Sequence, residues 1–289
     1  MPDQVVDWLR DALRGGRAPA ADFRLRGPLR EFPFRQDEGE FRIEVEFADG
    51  ALDYAPGWPG VDAASGHLVF ENESLYSTDN DFMLGRQRVR DVSLMIADLR
   101  QGVVELEGGG AVELESVLHF VQNSPLAGQL GPVLAELRAT GPAAASAVVV
   151  LPVRDLDAWT LTGELDLQGG SVWLTGLEPR FTELDGTVRI RNRFLSSDDL
   201  AAQLLDESVD IRIRPDTTSE AEWSHRAVVT GQMPYLKLEA ASGLPRLSKL
   251  SGRAAVTAVA LFPAYRPDAA PFKLQLSSDL VGIVSNLPE

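Results

Sequence analysis

Residues 41–77 read FRIEVEFADGALDYAPGWPGVDAASGHLVFENESLYS, and residues 161–197 read LTGELDLQGGSVWLTGLEPRFTELDGTVRIRNRFLSS. Laid over each other without a gap, at an offset of 120, they share Glu44/Glu164, Gly50/Gly170, Pro59/Pro179, Gly66/Gly186, Asn72/Asn192, Leu75/Leu195 and Ser77/Ser197. Val45/Leu165, Leu52/Val172, Leu68/Val188 and Phe70/Ile190 are apolar in both copies. A repeat settles architecture before any residue is given a role. What repeats here is alternating apolar positions, two glycines and a proline, the material of β-strands and turns.

In the first copy Phe41, Ile43, Val45 and Phe47 alternate with Arg42, Glu44 and Glu46, a period of two. Asp49-Gly50 is a hairpin signal, with Leu52 and Tyr54 continuing the apolar face beyond it. Leu68 and Phe70 open the next strand after a turn at Gly66. In the second copy Leu161, Leu165 and Leu167 face one way, Gly169-Gly170 turns the chain, and Val172 and Leu174 resume. Val188 and Ile190 follow, then Ile211 and Ile213 between Arg212 and Arg214. Leu236 and Leu238, residues 254–260 and residues 272–276 read as later strands. Gly108-Gly109-Gly110 reads as a break in the sheet.

Two stretches have a helical period. Residues 3–14 place Val5, Val6, Leu9 and Leu13 at helical spacing beside Trp8, with Gly15-Gly16 as the stop and a short strand at Phe23–Gly27. Residues 112–122 and 126–139 read as a helical pair joined at Asn123-Ser124-Pro125. The expected organisation is a helix and leading strand over 1–40, a β unit over 41–111, a helical hairpin over 112–140, a second β unit over 141–240 and further, truncated strands over 241–289. Residues 214–224 are the expected mobile loop.

The chain has 289 residues, 44% of them hydrophobic and 24% charged, enough for a sizeable core. Its net charge of −16 disfavours nucleic acid, whose phosphates it would repel. With no cysteine, disulfides, thiolate metal sites and cysteine nucleophiles are excluded. No apolar run reaches the ~18 residues of a membrane span, and the N-terminus does not read as a signal peptide.

Catalytic chemistry finds no foothold. His67 reads as a solvated strand residue, His119 as a helix neighbour and His225 as a loop residue, with no metal-ligand spacing among them. Ser197-Asp198-Asp199 and Asp79-Asn80-Asp81 lack the glycine and closing glutamate of a calcium loop and read as solvated turns. No nucleophile or phosphate-loop motif is present. The expectation is a protein without catalytic residues, cofactor or metal.

Trp8-Leu9-Arg10-Asp11-Ala12-Leu13, Gly15-Gly16, Phe23-Arg24-Leu25-Arg26-Gly27-Pro28-Leu29 and Phe32-Pro33-Phe34 resemble the central part of the large YhdP-type proteins of the AsmA-like family. So do Ala51–Pro59, Gly66–Phe70, the Ser124-Pro125-Leu126 junction and Ser278–Gly282 with Leu287-Pro288. The resemblance implies a mainly β fold: a long curved antiparallel sheet forming a taco-like groove. It also implies a periplasmic segment of a bacterial envelope protein, anchored in the inner membrane by a helix outside this chain, that moves phospholipid between the inner and outer membranes. The partners it implies are phospholipid acyl chains, the remainder of the same long chain and unidentified envelope proteins. The candidate groove residues are Ile43, Val45, Leu52, Tyr54, Leu68, Phe70, Leu165, Leu167, Val172, Leu174, Val188, Ile190, Ile211 and Ile213. Alternation by itself does not separate a groove-facing strand from a core-facing one, so a closed β-scaffold or interaction module without lipid contact is the alternative.

Overall fold

The computed structural model describes residues 8, 10–36, 38–130, 133–155, 158–176, 180–215, 223–237, 250–263 and 272–285. These are mainly strand: β1 (Leu13–Arg26), β2 (Glu40–Leu52), β3 (Val61–Glu71), β4 (Ser74–Leu84), β5 (Gln87–Ile96), β6 (Val103–Glu113), β7 (Leu137–Thr140), β8 (Pro142–Pro152), β9 (Thr160–Leu174), β10 (Phe181–Arg191), β11 (Phe194–Leu204), β12 (Glu207–Pro215), β13 (Trp223–Pro234), β14 (Leu250–Pro263), β15 (Lys273–Ser278) and β16 (Ile283–Ser285). Between β6 and β7 the described residues include the helical stretches α1 (Leu114–Gln122), α2 (Leu126–Leu130) and α3 (Val133–Glu136). The sixteen strands belong to one antiparallel sheet in near-sequential order, with β7 pairing β9 and β16 pairing β14. Mainly β, with one antiparallel sheet, is the expected fold class. Two compact units divide the chain, one of residues 1–112 and 145–163, the other of residues 113–144 and 164–289.

The repeat is visible strand by strand. β3, β4 and β5 begin at 61, 74 and 87, and β10, β11 and β12 at 181, 194 and 207, each 120 later. The hairpins between them are two-residue turns. Asn72 and Asn192 open two of these in the left-handed region, with φ of 50° and 53°, a conformation asparagine tolerates. Asn72 also stitches its turn to β2: its Oδ1 accepts from Phe41 N at 3.0 Å, and its N donates to Phe41 O at 2.8 Å.

The strands are longer than alternation alone suggests, because the glycines expected to turn the chain lie inside them. β2 runs through Asp49-Gly50, β3 through Gly66, β6 through Gly108–Gly110 and β9 through Gly169-Gly170. Register explains the first of these. Phe47 pairs with Gly66 and Gly50 with Ala64, so three steps on β2 oppose two on β3. That extra residue is a β-bulge, with Asp49 at φ 53°. Bulges recur at Ala63 (φ 51°) in β3, Asp79 (φ 56°) in β4 and Asp91 (φ 56°) in β5, each beside a register shift. Asp79-Asn80-Asp81 and Ser197-Asp198-Asp199 are therefore strand bulges rather than solvated turns, and Asn80 and Ser197 are buried. At Gly108 and Gly109 a Cβ would come within 2.7 Å of Val92 Cγ2 and 2.5 Å of Ala145 O, so these glycines permit close strand approach instead of breaking the sheet.

Other boundaries also move. Of the expected N-terminal helix, Trp8 and residues 10–12 are helical, and β1 begins at Leu13, before Gly15-Gly16. The short strand expected at Phe23 is the end of the 14-residue β1. Residues 126–130 and 133–136 of the second helix of the pair are helical, as α2 and α3, with 131 and 132 outside the described residues, and residues 137–140 leave it to pair with β9. Residues 235–237 are helical, not strand, and Leu238 lies outside the described residues. Arg214, Pro215, Trp223 and Ser224 belong to strands, while the rest of the expected mobile loop, 216–222, lies outside the described residues.

A motif at the strand starts extends the repeat to three copies. Gly16-Arg17-Ala18, Gly141-Pro142-Ala143 and Gly252-Arg253-Ala254 open β1, β8 and β14, with the glycines at φ 144°, 111° and 107°. A Cβ there would come within 3.3 Å of Gly50 Cα and 2.8 Å of Gly170 Cα, and would collide with Gly282 O. At Gly141 and Gly252 two backbones approach too closely for a side chain, and at all three the positive φ disfavours any residue but glycine.

Candidate functional site

Cross-strand partners project to one face, so the register assigns the faces. In the first unit Phe23 pairs with Ile43, Ile43 with Phe70, Phe70 with Leu75 and Leu75 with Ile96. The next row is Ala21, Val45, Leu68, Ser77, Leu94 and Leu106. The reverse face carries Asp22, Glu44, Val69, Tyr76, Met95 and Glu105 in register, with Arg24, Arg42, Glu71 and Ser74 beside them. One face is thus apolar and the other largely charged.

The bulges keep the apolar face apolar. Val45 and Phe47 have odd numbers and Leu52 an even one, so an unbroken pleat would put Leu52 on the charged side. The extra residue at Asp49 returns it, and Leu52 lies in the row Leu13, Leu52, Val61, Leu84. The same odd-to-even change separates Leu165 and Leu167 from Val172 and Leu174 across Gly169 (φ 76°).

Of the candidate residues, Leu167 and Ile211 are buried; Ile43, Val45, Leu52, Tyr54, Leu68, Phe70, Leu165, Val172, Leu174, Val188, Ile190 and Ile213 are half-buried. Ile43 lies against Phe70 and Val45 against Leu68; Val172 pairs with Ala139, Leu174 with Leu137 and Ile190 with Leu195. Ile211 belongs to the row Leu200, Ile211, Val229, Ala258, Leu276, and Ile213 to the row Ser197, Ile213, Ala227, Ala260, Leu274. These rows end on Leu274 and Leu276, which are 57% and 56% exposed. Tyr54 lies beyond β2, its ring 6.3 Å from Trp58, which meets Trp159 edge-on at 5.4 Å. Burial pushes its phenol well above the usual range.

Sequence reasoning passed over the residues that seal one end of the first unit's apolar face. Leu75, Ile96, Val104 and Val153 are buried together, flanked by Leu68, Phe70, Leu94 and Leu106. It also missed polar groups on that face. Ser77 is buried, and its hydroxyl proton serves His67 O at 2.7 Å or Asn80 Oδ1 at 2.6 Å. Asn80 Nδ2 donates to Val92 O at 2.7 Å. His225, expected in a loop, is buried in β13; its Nε2 accepts from Leu195 N at 2.9 Å, and desolvation lowers its pKa.

The charged face is laced with ion pairs. Arg42 contacts Glu44 at 2.5 Å, and Glu71 and Tyr76 Oη at 2.9 Å. The Glu44 contact is the largest cause of the upward shift of its guanidinium pKa, and Arg42 in turn lowers the Glu44 pKa. Arg189 meets Glu164 at 3.1 Å, and Arg214 pairs with Asp198. The exposed Arg189–Glu164 and Arg214–Asp198 pairs add little stability.

A sheet with one apolar and one ion-paired face, built by repetition, is an amphipathic β-scaffold. The chain belongs to the YhdP family: the family model described as YhdP protein matches residues 1–289. It is 24% identical over 298 residues to a protein of Escherichia coli (strain K12) described as intermembrane phospholipid transporter YhdP, a match that covers all of this chain. The chain spans 22% of that relative's length. No solved structure matches it. Among the described residues no helix is long and apolar enough to cross a membrane.

Proposed function

We propose that this chain is a periplasmic segment of an inner-membrane-anchored protein that conducts phospholipids between the inner and outer membranes, its apolar face shielding the acyl chains. The observation that carries the reading is the row structure. Apolar residues pass from strand to strand in register across each unit, and most of the candidate residues are half-exposed rather than sealed. Each strand adds about 4.8 Å of track, and covering an acyl chain gains about 0.8 kcal/mol per CH₂ without polar specificity. Bulges bend and twist their strands, which suits a sheet curling into a groove. The relative's description as a phospholipid transporter supports the same substrate.

A closed scaffold without lipid contact is the second reading, favoured by the self-buried cluster of Leu75, Ile96, Val104 and Val153. Photocrosslinking in intact envelopes separates the two. A crosslinker at Leu174 or Ile190 should capture phospholipid, identified by mass spectrometry, and one at Arg189 or Glu164 on the charged face should not. Equal capture from both faces, or none from the apolar face, would overturn the proposal.

A further inference from the structure

The two edge strands of the sheet are built differently. β1 is guarded against further pairing: Pro19 lies in its middle, Arg14, Arg17, Arg24 and Arg26 stand along it, and its register to β2 shifts three times. Proline, charge and bulges are the devices that keep an edge strand from pairing again. β15 reads Lys273-Leu274-Gln275-Leu276-Ser277-Ser278, with one charge, no proline and an unbroken register to β14 from Lys273 to Ser278. Among the described residues β15 pairs with β14 alone. All of its side chains are exposed, the two leucines included.

The repeat gives β15 its place. β14 carries Gly252-Arg253-Ala254 near its start, as β1 carries Gly16-Arg17-Ala18 and β8 follows Gly141 with Pro142-Ala143. A Cβ on Gly16 would meet Gly50 in β2, one on Gly141 would meet Gly170 in β9, and one on Gly252 would collide with Gly282, between β15 and β16. An aliphatic residue stands two positions after each of these partner glycines: Leu52, Val172 and Val284. β15 and β16 together therefore stand where β2 and β9 stand, as the second strand of a third copy. In the first copy Phe70 of β3 lies against Ile43 of β2, and Leu68 against Val45. In the second, β10 lies beside β9 and carries Val188 and Ile190 at the positions of Leu68 and Phe70. Leu276 and Leu274 end their rows beyond Ala258 and Ala260, with no further strand beside them among the described residues.

We propose that the free edge of β15 is a strand-docking site, and that its partner is an antiparallel strand with the alternation of β3 and β10, which sets two apolar side chains beside Leu274 and Leu276. The backbone groups of β15 that point away from β14 supply the ladder, and the two leucines select the partner. Strand addition of this kind takes its affinity from main-chain hydrogen bonds and its specificity from alternate side chains. The added strand carries both faces of the sheet onward, apolar beside apolar and polar beside polar. The docking edge stands whether or not acyl chains lie on the apolar face.

The test uses the 289-residue chain and a synthetic peptide with the sequence of β10, residues 181–191. Hydrogen exchange over residues 273–278, read by mass spectrometry, should slow at least tenfold at about 1 mM peptide. The same peptide with Val188→Ser and Ile190→Ser should protect that stretch far less. The chain carrying Leu274→Lys and Leu276→Lys, two exposed positions where a long charged side chain reaches water, should fold and show no protection. No protection of the native chain, equal protection by both peptides, or protection of β1 as strong as that of β15 overturns the proposal. So does exchange over 273–278 that slows as the chain is concentrated without peptide, because the edge then belongs to a second copy of this chain. None of these results bears on lipid capture from Leu174 and Ile190, which tests the track separately.

Discussion

Ser77 and Ser197, 120 residues apart, make the same hydrogen bond: Ser77 Oγ reaches His67 O at 2.7 Å and Ser197 Oγ reaches Thr187 O at 2.6 Å, the two carbonyls also 120 apart. Both serines are nearly inaccessible, at 2% and 1%, and each begins a bulge. Ser77 to Asn80 spans three steps opposite two from Leu94 to Val92, and Ser197 to Leu200 spans three opposite two from Ile213 to Ile211. The hydroxyl supplies a donor to a carbonyl of the neighbouring strand where the ladder is interrupted.

Replacing either serine by alanine should therefore cost about 1–3 kcal/mol, the usual effect of stranding a buried acceptor. The two sites share no partners, so the double variant should lose the sum of the single losses. Urea unfolding measures both. A loss below about 0.5 kcal/mol for each would mean that the carbonyls are satisfied without the hydroxyls.

Gly66 and Gly186 form another repeated pair with a steric reason. A Cβ on Gly66 would collide with Asn80 Oδ1 and come within 2.9 Å of Phe47 Cζ, both side-chain atoms. A Cβ on Gly186 would collide with the backbone oxygen of Asp199, and its φ of 120° is strained for any other residue. Gly186→Ala should accordingly be the more damaging, beyond the ~1–3 kcal/mol typical of overpacking, because backbone does not rotate away. Gly66→Ala should also break the Ser77–Asn80–Val92 chain of hydrogen bonds. Thermal melts of the two variants rank them, and a smaller loss for Gly186→Ala would contradict the steric account.

The alternation, the repeat and the mainly β fold were legible in the residues. Strand length was not. Asp49-Gly50 serves a two-residue hairpin and a bulge equally well, because both need a positive φ. The clue that separates them is the parity of the flanking apolar residues. Val45 and Leu52 differ in parity, and pleated geometry brings both to one face within a single strand only if an extra residue intervenes. The Gly-Arg-Ala, Gly-Pro-Ala and Gly-Arg-Ala openings of β1, β8 and β14 went unread for a different reason. Their spacings, 125 and 111 residues, differ from the 120 of the main repeat, so an ungapped overlay does not align them. The Trp8 contact with Val104 and Val153 depends on tertiary packing and leaves no local signal.

Burial of His225 ties stability to pH. With Nε2 accepting from Leu195 N, the imidazole is neutral, and Nδ1 lies 3.0 Å from Ser224 Oγ. Desolvation holds its folded pKa below the usual 6.5, so the unfolded chain binds the extra proton first. Stability from this group is thus complete above pH 6.5 and falls as pH drops from there toward the folded pKa, by at most about 1.4 kcal/mol per pH unit. The carboxylates lowered by arginine act in a separate and more acidic window. Asp98, held at about 2 chiefly by its bond to Arg100, is an example: its contribution is present above the ordinary carboxylate pKa and lost below it. Urea midpoints between pH 8 and 5 should fall for the native chain and stay nearly level for His225→Gln, whose amide can still accept. A step that persists in the variant would place its origin elsewhere.

The two faces make opposite demands on charge, and lipid passage should feel the difference. Leu174 and Ile190 are half-buried on the apolar face, paired with Leu137 and Leu195. An arginine or glutamate there would place a charge on the proposed lipid track, whereas a long charged side chain at the solvent edge can reach water and spare the sheet. Leu174→Arg and Ile190→Glu should retain the β-sheet circular dichroism signal yet reduce phospholipid transfer at least tenfold, measured in cells that depend on the full-length protein carrying the substitution. Arg189→Glu on the other face loses only an exposed pair with Glu164 and should transfer lipid at the native rate. Normal transfer by both apolar-face variants would mean that acyl chains do not travel along this surface, whatever the register of its rows.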